Sequence, residues 1–220
     1  MITWMTRPFD VTQLYSPVGL RLLDELTNQP PLGTVRATLD KLDANGKWLP
    51  TDIPGVLTPS AVVSYPGLER HAVVTGLTFQ TYRVRLNADL YIPYYLTNAD
   101  GIQFKAYPYN DDNPPAVIAK VPIDTPLLPA PHYPFASHIP LLRGVVVDAA
   151  GDPVPNAYVT QSNNERALTD NRGEFALPLR WVKANTAVPI DATDQRTGRT
   201  GTISIQLPGA LNNSQTISIS

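Results

Sequence analysis

The sequence Val145-Val146-Val147-Asp148 opens a stretch that continues through Pro155 and Val159 to Thr-Asp-Asn-Arg-Gly-Glu-Phe at residues 169–175. Three β-branched residues in a row favour an extended chain. An aspartate three residues before a glycine favours a tight turn, because the aspartate accepts backbone N–H groups and the glycine takes a positive φ. The stretch therefore predicts strand, turn, strand, turn and strand.

The first half of the chain repeats this spacing. Asp24 ends the run Leu20 to Leu23, and a proline and a valine follow it seven and eleven residues later, as they follow Asp148. Leu57 stands where the second copy has Phe175. Two copies of one plan predict two similar β domains in tandem. The residues that carry the repeat are Asp24, Pro31, Thr51, Asp52 and Gly55 in the first half, and Asp148, Pro155, Thr169, Asp170 and Gly173 in the second.

Composition narrows the function classes. The 220 residues carry a net charge of -2 with scattered lysines and arginines, so we expect no nucleic-acid partner. The absence of cysteine excludes disulfides, a thiol nucleophile and a cysteine-based zinc site. No apolar run approaches the ~20 residues of a membrane span. Residues 1–15 lack the pattern of a signal peptide, so we expect synthesis in the cytoplasm.

Alternating polar and apolar residues predict most of the strands. The clearest runs from Tyr82 to Ile92, and its predicted counterpart in the second half is 188–192. Further strands are predicted at 20–24, from Val35 and over 102–106, and at 203–207 and 217–219, with an Asn45-Gly46 turn. The run 22–26 could instead form one helix face, but the matching Val-Val-Val favours a strand. Turns every 8–12 residues are typical of a β-sandwich.

The predicted organisation has four parts. They are an N-terminal arm (1–16), a first β-sandwich (17–107), a connector (108–140) and a second β-sandwich (141–220). Nine prolines between Pro108 and Pro140 predict a semi-rigid, extended spacer. Trp4 and Phe9 make the arm apolar, so it either packs on its own domain or docks on a neighbouring subunit as an added strand.

Residues 143–177 resemble the carboxypeptidase regulatory-like domain, a transthyretin-like (prealbumin-like) β-sandwich. That family reads roughly Gly-x-Val-x-Asp, then Gly-x-Pro-Val-Pro-Gly-Ala-x-Val, then Thr-Asp-x-x-Gly-x-Phe-x-Leu. The chain matches it from Gly144 to Leu177, including Ala157 and Phe175, and departs from it at Asn156, where glycine is usual. Asparagine tolerates the left-handed conformation, so the turn can survive. Residues 17–95 match more weakly. The resemblance implies an accessory, non-catalytic module whose motif residues serve the fold.

Candidate reactive sites are few. His132 and His138 stand six apart with no ligand spacing we can defend, so we predict no metal. The run 110–113 lacks calcium-loop spacing, and His71 beside Arg70 is interpreted as an exposed pair. No nucleophile elbow occurs, so we predict no catalytic residues, no cofactor and no small-molecule ligand. Tyr91, Tyr94 and Tyr95 either form an aromatic patch for sugar or protein, or pack against the connector.

These observations predict a non-enzymatic structural or assembly protein whose partners are other protein subunits or further copies of the chain. A phage tail or contractile injection apparatus is one such setting. The alternative is a carbohydrate- or surface-binding accessory module of an exported protein. The first hypothesis predicts exposed apolar surface that a complex covers, and the second predicts a groove lined by exposed aromatic side chains.

Overall fold

The computed structural model describes residues 14–71, 79–95, 100–110, 112–162, 165–183 and 186–220. Within these ranges the regular structure consists of strands and one short 3-10 helix, Gly209–Asn212. The all-β prediction is therefore confirmed. No helix in this part of the chain is long and apolar enough to cross a membrane.

The first half forms one nine-stranded sheet. The strands are β1 (Gly19–Asp24), β2 (Val35–Leu42), β3 (Trp48–Pro50), β4 (Val56–Leu57), β5 (Val62–Ser64), β6 (Gln80–Ala88), β7 (Tyr91–Pro93), β8 (Ile102–Ala106) and β9 (Ile123–Pro129). Their order in the sheet is β3-β2-β6-β7-β9-β1-β5-β4, and β8 pairs with β6.

The predicted strands at 20–24, from Val35 and over 102–106 are confirmed. The predicted strand 82–92 is correct only as far as Ala88. There the chain turns through two residues, and Ala88 pairs with Tyr91 of β7. The alternation of polar and apolar residues continues across this turn, so the sequence pattern hides the break.

The second half forms two sheets, β13-β10-β16 and β12-β11-β14-β15. One buried cluster draws on both sheets, with Phe175 and Ile217 from the first and Val159 and Ile190 from the second. This half therefore has the layered packing of a sandwich. Its strands are β10 (Leu141–Val147), β11 (Ala157–Gln161), β12 (Glu165–Leu168), β13 (Glu174–Pro178), β14 (Ala187–Asp194), β15 (Thr200–Gln206) and β16 (Gln215–Ser218).

Strand pairing repeats between the halves. β1 pairs antiparallel with β5 and parallel with β9, as β10 pairs antiparallel with β13 and parallel with β16. The path β3-β2-β6-β8 corresponds to β12-β11-β14-β15, and every pair in both paths is antiparallel. In the first half β7 links β6 to β9 and merges the two sheets into one.

The pairing also corrects the proposed alignment of Leu57 with Phe175. Leu57 lies on β4, an additional edge strand, and is 51% exposed. Phe175 lies opposite Gly144 of β10, and the matching residue opposite Leu20 of β1 is Val63. Because β4 is inserted after Gly55, the residue that matches Phe175 is Val63, six residues after Leu57. The spacing of the motif could not indicate this insertion.

The predicted spacer 108–140 is wrong for residues 123–129, because they form β9. This strand lies between β7 and β1, and Leu127 and Leu128 are fully buried. Its prolines suggested a spacer, but Leu127 packs into the core of the first half. Among the described residues, buried hydrophobic side chains form two clusters, one drawn from residues 18–135 and one from residues 142–219.

Candidate interaction surface

Tyr91, a predicted interaction residue, lies inside the first half. Its side chain is 3% exposed, and its hydroxyl donates to Asp24 Oδ2 at 3.0 Å while accepting the N–H of Leu32 at 2.8 Å. The Tyr133 ring packs edge-on against it, and the Tyr133 hydroxyl donates to the same oxygen at 2.7 Å. Burial raises the pKa of Tyr91. Tyr91 therefore stabilises the fold and does not face a partner.

Tyr94 and Tyr95 line a cleft of about 420 Å³ between the two halves. The Tyr95 hydroxyl accepts the N–H of Leu86 at 2.9 Å, and burial raises its pKa. The Tyr94 ring lies 5.8 Å from the ring of Tyr158 and 5.0 Å from the guanidinium of Arg166. Both rings are half-buried, and Tyr94 is engaged in contacts within the molecule. Trp4 and Phe9 lie outside the described residues.

Charged contacts join the halves beside this cleft. Arg166 donates to Glu25 at 2.7 Å. Arg180 holds Glu165 through two bonds of 2.8 and 3.0 Å and donates to the Leu26 carbonyl at 2.9 Å. Arg166 and Glu25 are partly exposed, so their ion pair alone contributes little. Glu165 is buried, and its partner Arg180 carries the contact on to Leu26 of the first half. Two further contacts between the halves are Arg143 to the Pro131 carbonyl and Arg196 to Asp100.

Asp40 is a buried carboxylate on β2 held by two arginines of β6. Arg83 approaches it to 2.6 Å and Arg85 to 2.7 Å, and the guanidinium of Arg83 also lies 4.7 Å from the Trp48 ring centre. Burial favours the neutral acid, but the hydrogen bonds from Arg85 and Arg83 outweigh it, so the pKa of Asp40 is lowered. The ion pair satisfies its charge within the sheet and leaves no free base for catalysis.

The motif residues of the second half lie in turns and in the core. Thr169 donates to the Val154 carbonyl at 2.6 Å and accepts the Ala157 N–H at 2.8 Å. Asp170 Oδ1 accepts the N–H groups of residues 172 and 174 at 2.8 and 3.0 Å. Gly173 takes a φ of 72°, and a Cβ there would stand 2.6 Å from a backbone oxygen. Pro155 is half-buried, and Ala157 and Phe175 are buried.

The first-half motif residues lie in a different local structure. Thr51 donates to the Leu39 carbonyl at 2.9 Å, and its N–H donates to the same oxygen. Asp52 is exposed, and Pro31 is half-buried. A Cβ on Gly55 would stand 3.2 Å from the Tyr65 ring. In the second half, Asp170 to Gly173 form a short turn. In the first half, the matching Asp52 and Gly55 precede the additional strand β4.

His132, the backbone of His71 and the acidic loop make hydrogen bonds within the protein, whereas His138 lies at the wall of a groove described below. His132 Nε2 contacts the Asp89 carbonyl, and the His71 N–H donates to the Tyr109 carbonyl at 2.8 Å. Asn110 Oδ1 accepts the N–H groups of Asp112 and Asn113, so it closes its own loop. Across the ranges that the structure describes, no three histidine or acidic side chains form a metal-binding group.

Two stretches of the first half expose aliphatic side chains. The first precedes β9 and contains Val117, Ile118 and Val121, which continue into Ile123 at the start of that strand. Val121 is 76% exposed. The second surrounds the edge strand β4 and consists of Leu49, Ile53, Val56 and Leu57. Surface residues of this kind cluster where a protein binds another protein.

Trp181 borders a groove where the halves meet. It is 71% exposed. The groove has a volume of about 620 Å³, and Arg180 and His138 supply polar groups at its wall. Its apolar lining consists of Leu26, Tyr133, Pro134, Ala136, Ile139 and Pro140. An exposed tryptophan beside an apolar groove is a common anchor of protein interfaces.

Comparison with known proteins adds little. No protein family model matches the chain, and no curated protein matches it. Among solved structures, the Bacillus anthracis TIE protein matches 94% of this chain at 12% identity with a TM-score of 0.30. BcpA, the major pilin subunit of Bacillus cereus, matches 94% at 8% identity with a TM-score of 0.27. The chain spans 33% of the first protein and 69% of the second. Likeness at these values carries no functional conclusion.

Sequence reasoning missed the Trp181 groove and the exposed segment before β9. The exposed segment has a visible signal, since Val117, Ile118 and Val121 lie between prolines without the alternation of a strand. The groove has none, because its walls come from residues 26–27, 133–140 and 180–181, which only the fold brings together. The arginine pair on Asp40 also depends on the β2–β6 register, in which Asp40 lies opposite Arg83.

Proposed function

We propose that this chain is a non-catalytic structural protein that binds other protein subunits in a larger assembly. The observation that carries the proposal is the exposed aliphatic surface formed by residues 117–123. Exposing aliphatic side chains to water is unfavourable, and binding of another subunit would bury them.

The non-catalytic part of the proposal is supported by the cleft of Tyr94. Its charged residues are Arg85, Asp100 and Arg196, and no histidine, serine or cysteine lines it among the described residues. Arg85 is bound to Asp40 and Arg196 to Asp100. A hydrolase would need a nucleophile with a base within hydrogen-bonding distance.

The same proposal includes a fold family and a setting. The strand pairing shared by the halves supports two tandem transthyretin-like sandwiches of the carboxypeptidase regulatory-like kind, with the two sheets of the first half merged through β7. The absence of cysteine fits assembly inside a reducing cytoplasm, as for a phage tail or contractile injection apparatus. Identifying the proteins encoded beside this gene would test the setting directly.

The test of the function is the state of the purified chain over a wide concentration range, alone and with the products of neighbouring genes. We expect self-association or stable binding of a neighbouring product, measured by analytical ultracentrifugation. A strictly monomeric chain that binds none of these proteins would contradict the proposal.

A carbohydrate-binding module is the second candidate, and the exposed Trp181 is the observation in its favour. Tyr94, the predicted platform, is a weaker one because Tyr158 and Arg166 already contact its ring. A glycan array distinguishes the candidates. Binding of one sugar class that Trp181→Ala abolishes would favour this candidate, whereas a blank array leaves the assembly proposal preferred.

A further inference from the structure

We infer that copies of this chain join head to tail, with residues 113–123 of one copy seated in the Trp181 groove of the next. We call residues 113–123 the projecting segment. The inference rests on the proposed function and specifies the partner as a second copy of the chain.

The projecting segment presents side chains suited to a groove. Val117 and Ile118 are 55% and 40% exposed, and Val121 is more exposed still. Pro114, Pro115 and Pro122 restrict the segment before it binds, so ordering it costs less conformational entropy than ordering a flexible loop. The segment is thus an apolar ligand held on the surface in a limited set of shapes.

The groove offers the complementary surface. Its volume of about 620 Å³ lies within the ~300–1,000 Å³ typical of binding pockets, enough for several aliphatic side chains. Trp181 stands at its edge, where it can cover an inserted valine or isoleucine. Its walls are proline, alanine, leucine and isoleucine side chains with the Tyr133 ring.

Charge supports the same pairing. None of the described residues that line the groove is acidic, and although the Arg180 guanidinium is already paired with Glu165, exposed Lys183 follows Trp181 by two residues. Exposed Asp112 immediately precedes the projecting segment, and the segment's own cation, Lys120, lies eight residues further along. We therefore place Asp112 of one copy beside Lys183 of the next.

The fold prevents a copy from filling its own groove. Ile123 pairs with Leu20 at the start of β9, and Tyr109 is tied to residues 69–71, so both flanks of the segment are fixed. Residues 133–140 of the groove follow the other end of β9. At ~3.3 Å per residue, this seven-residue strand spans roughly 23 Å.

When the segment of one copy occupies the groove of another, the groove of the first copy and the segment of the second remain free. Every bound pair retains an unoccupied groove at one end and an unoccupied segment at the other, so further copies can add. The arrangement predicts growing chains of subunits rather than a closed symmetric dimer, unless the rotation between successive copies closes a ring.

Two complementary variants test the inference. Val121→Asp disables the segment and keeps the groove, whereas Trp181→Ala disables the groove and keeps the segment. We expect the unaltered chain to form a concentration-dependent series of oligomers in analytical ultracentrifugation. Each variant alone should be monomeric, and an equal mixture should give a dimer containing one of each and nothing larger.

A matched control and a charge exchange sharpen the test. Ile53→Asp places the same charge on another exposed aliphatic residue and should leave association unchanged. Asp112→Lys and Lys183→Glu should each weaken association by about threefold, and the double variant should restore it. Circular dichroism and thermal melting of each variant establish that it folds.

The outcomes separate the two proposals. If both variants associate as the unaltered chain does, the interface lies elsewhere, so this inference falls while the proposed function stands. If each variant is monomeric but the mixture also stays monomeric, the head-to-tail pairing is wrong. If the unaltered chain is monomeric at all concentrations yet binds a neighbouring gene product, only this inference falls. If it binds nothing, both proposals fall.

Discussion

Asp24 and Asp148 occupy the same position in the two halves of the chain. Asp24 is the last residue of β1 and Asp148 directly follows β10, and each of these strands pairs antiparallel on one side and parallel on the other. Each uses Oδ1 to accept backbone N–H groups in the following turn, at 2.8 Å from Leu26 and at 2.9 Å from Ala150. They differ at Oδ2, because that of Asp24 is buried beneath two tyrosine hydroxyls, whereas that of Asp148 faces Arg199 at 3.6 Å.

This difference predicts unequal costs of removing the two carboxylates. Asp24→Ala should lower the free energy of unfolding by about 3–5 kcal/mol, because it leaves the buried hydroxyls of Tyr91 and Tyr133 without their acceptor. Asp148→Ala should cost about 1 kcal/mol, since water can reach the groups it frees. Urea denaturation measures both values. Equal costs would show that the tyrosine hydroxyls find other acceptors.

Removing the Tyr65 hydroxyl should not lower stability, in contrast to removing the Asp24 carboxylate. Its hydroxyl is buried and lacks a hydrogen-bond partner among the described atoms, and burial raises its pKa to about 12. Tyr65→Phe removes an unsatisfied polar atom, so we expect unchanged stability or a gain of up to about 1 kcal/mol. Tyr82→Phe is the control, because the Tyr82 hydroxyl donates to Glu69 and its loss should destabilise the fold. A clear loss of stability in Tyr65→Phe would contradict the assignment.

The lowered pKa of Asp40 predicts that the free energy of unfolding depends on pH in the acidic range. Its pKa in the folded protein is lowered, so its contribution is complete above the unfolded value of ~3.9 and disappears as pH falls through the folded value. Asp40→Asn should cost about 3 kcal/mol near neutral pH, because two arginines lose their partner. The gap between the variant and the unaltered protein should narrow below about pH 4. Urea titrations at successive pH values measure it, and a constant gap would mean that Asp40 does not titrate as argued.

The corrected alignment of the repeat predicts that Phe175 and Leu57 are not equivalent. Phe175→Ala should cost about 3–5 kcal/mol through the cavity it leaves in the second core. Leu57→Ala should cost less than about 1 kcal/mol, since Leu57 lies exposed on an edge strand. Thermal unfolding or urea titration compares the two. Similar large costs would place Leu57 in a core and restore the original alignment.

The close packing around Gly144 of β10 leaves no room for a side chain at that position. A Cβ at this position would stand 2.4 Å from the Gln215 carbonyl oxygen and 2.6 Å from the Phe175 ring. Gly144→Ala should therefore destabilise the second half by about 1–3 kcal/mol or more, because β16 must move away from β10. Gly151→Ala is the control for the clash, since nothing lies near its Cβ and only its positive φ opposes the change. A neutral Gly144→Ala would show that β10 and β16 can separate freely.

The sequence by itself determined the features that depend on near neighbours along the chain. Alternation assigned the faces of β6 up to Ala88, since side chains of a strand point to opposite sides whatever the strand packs against. The turn from Asp170 to Gly173 was predictable for the same reason, because its hydrogen bonds join residues within four positions. The spacing of residues also indicated a repeat, but its alignment of Leu57 with Phe175 was wrong.

Only the tertiary structure decided the features that depend on distant partners. Residues 123–129 became a buried strand because β1 and β7 offer unpaired edges on both sides, and composition alone indicated a spacer. The burial of Tyr91, the two arginines on Asp40 and the groove beside Trp181 likewise arise from residues far apart in sequence. The pairing of distant strands depends on which faces of the sheets become buried together. A local pattern of residues shows that a strand has an apolar face, but it does not show which other strand lies beside it.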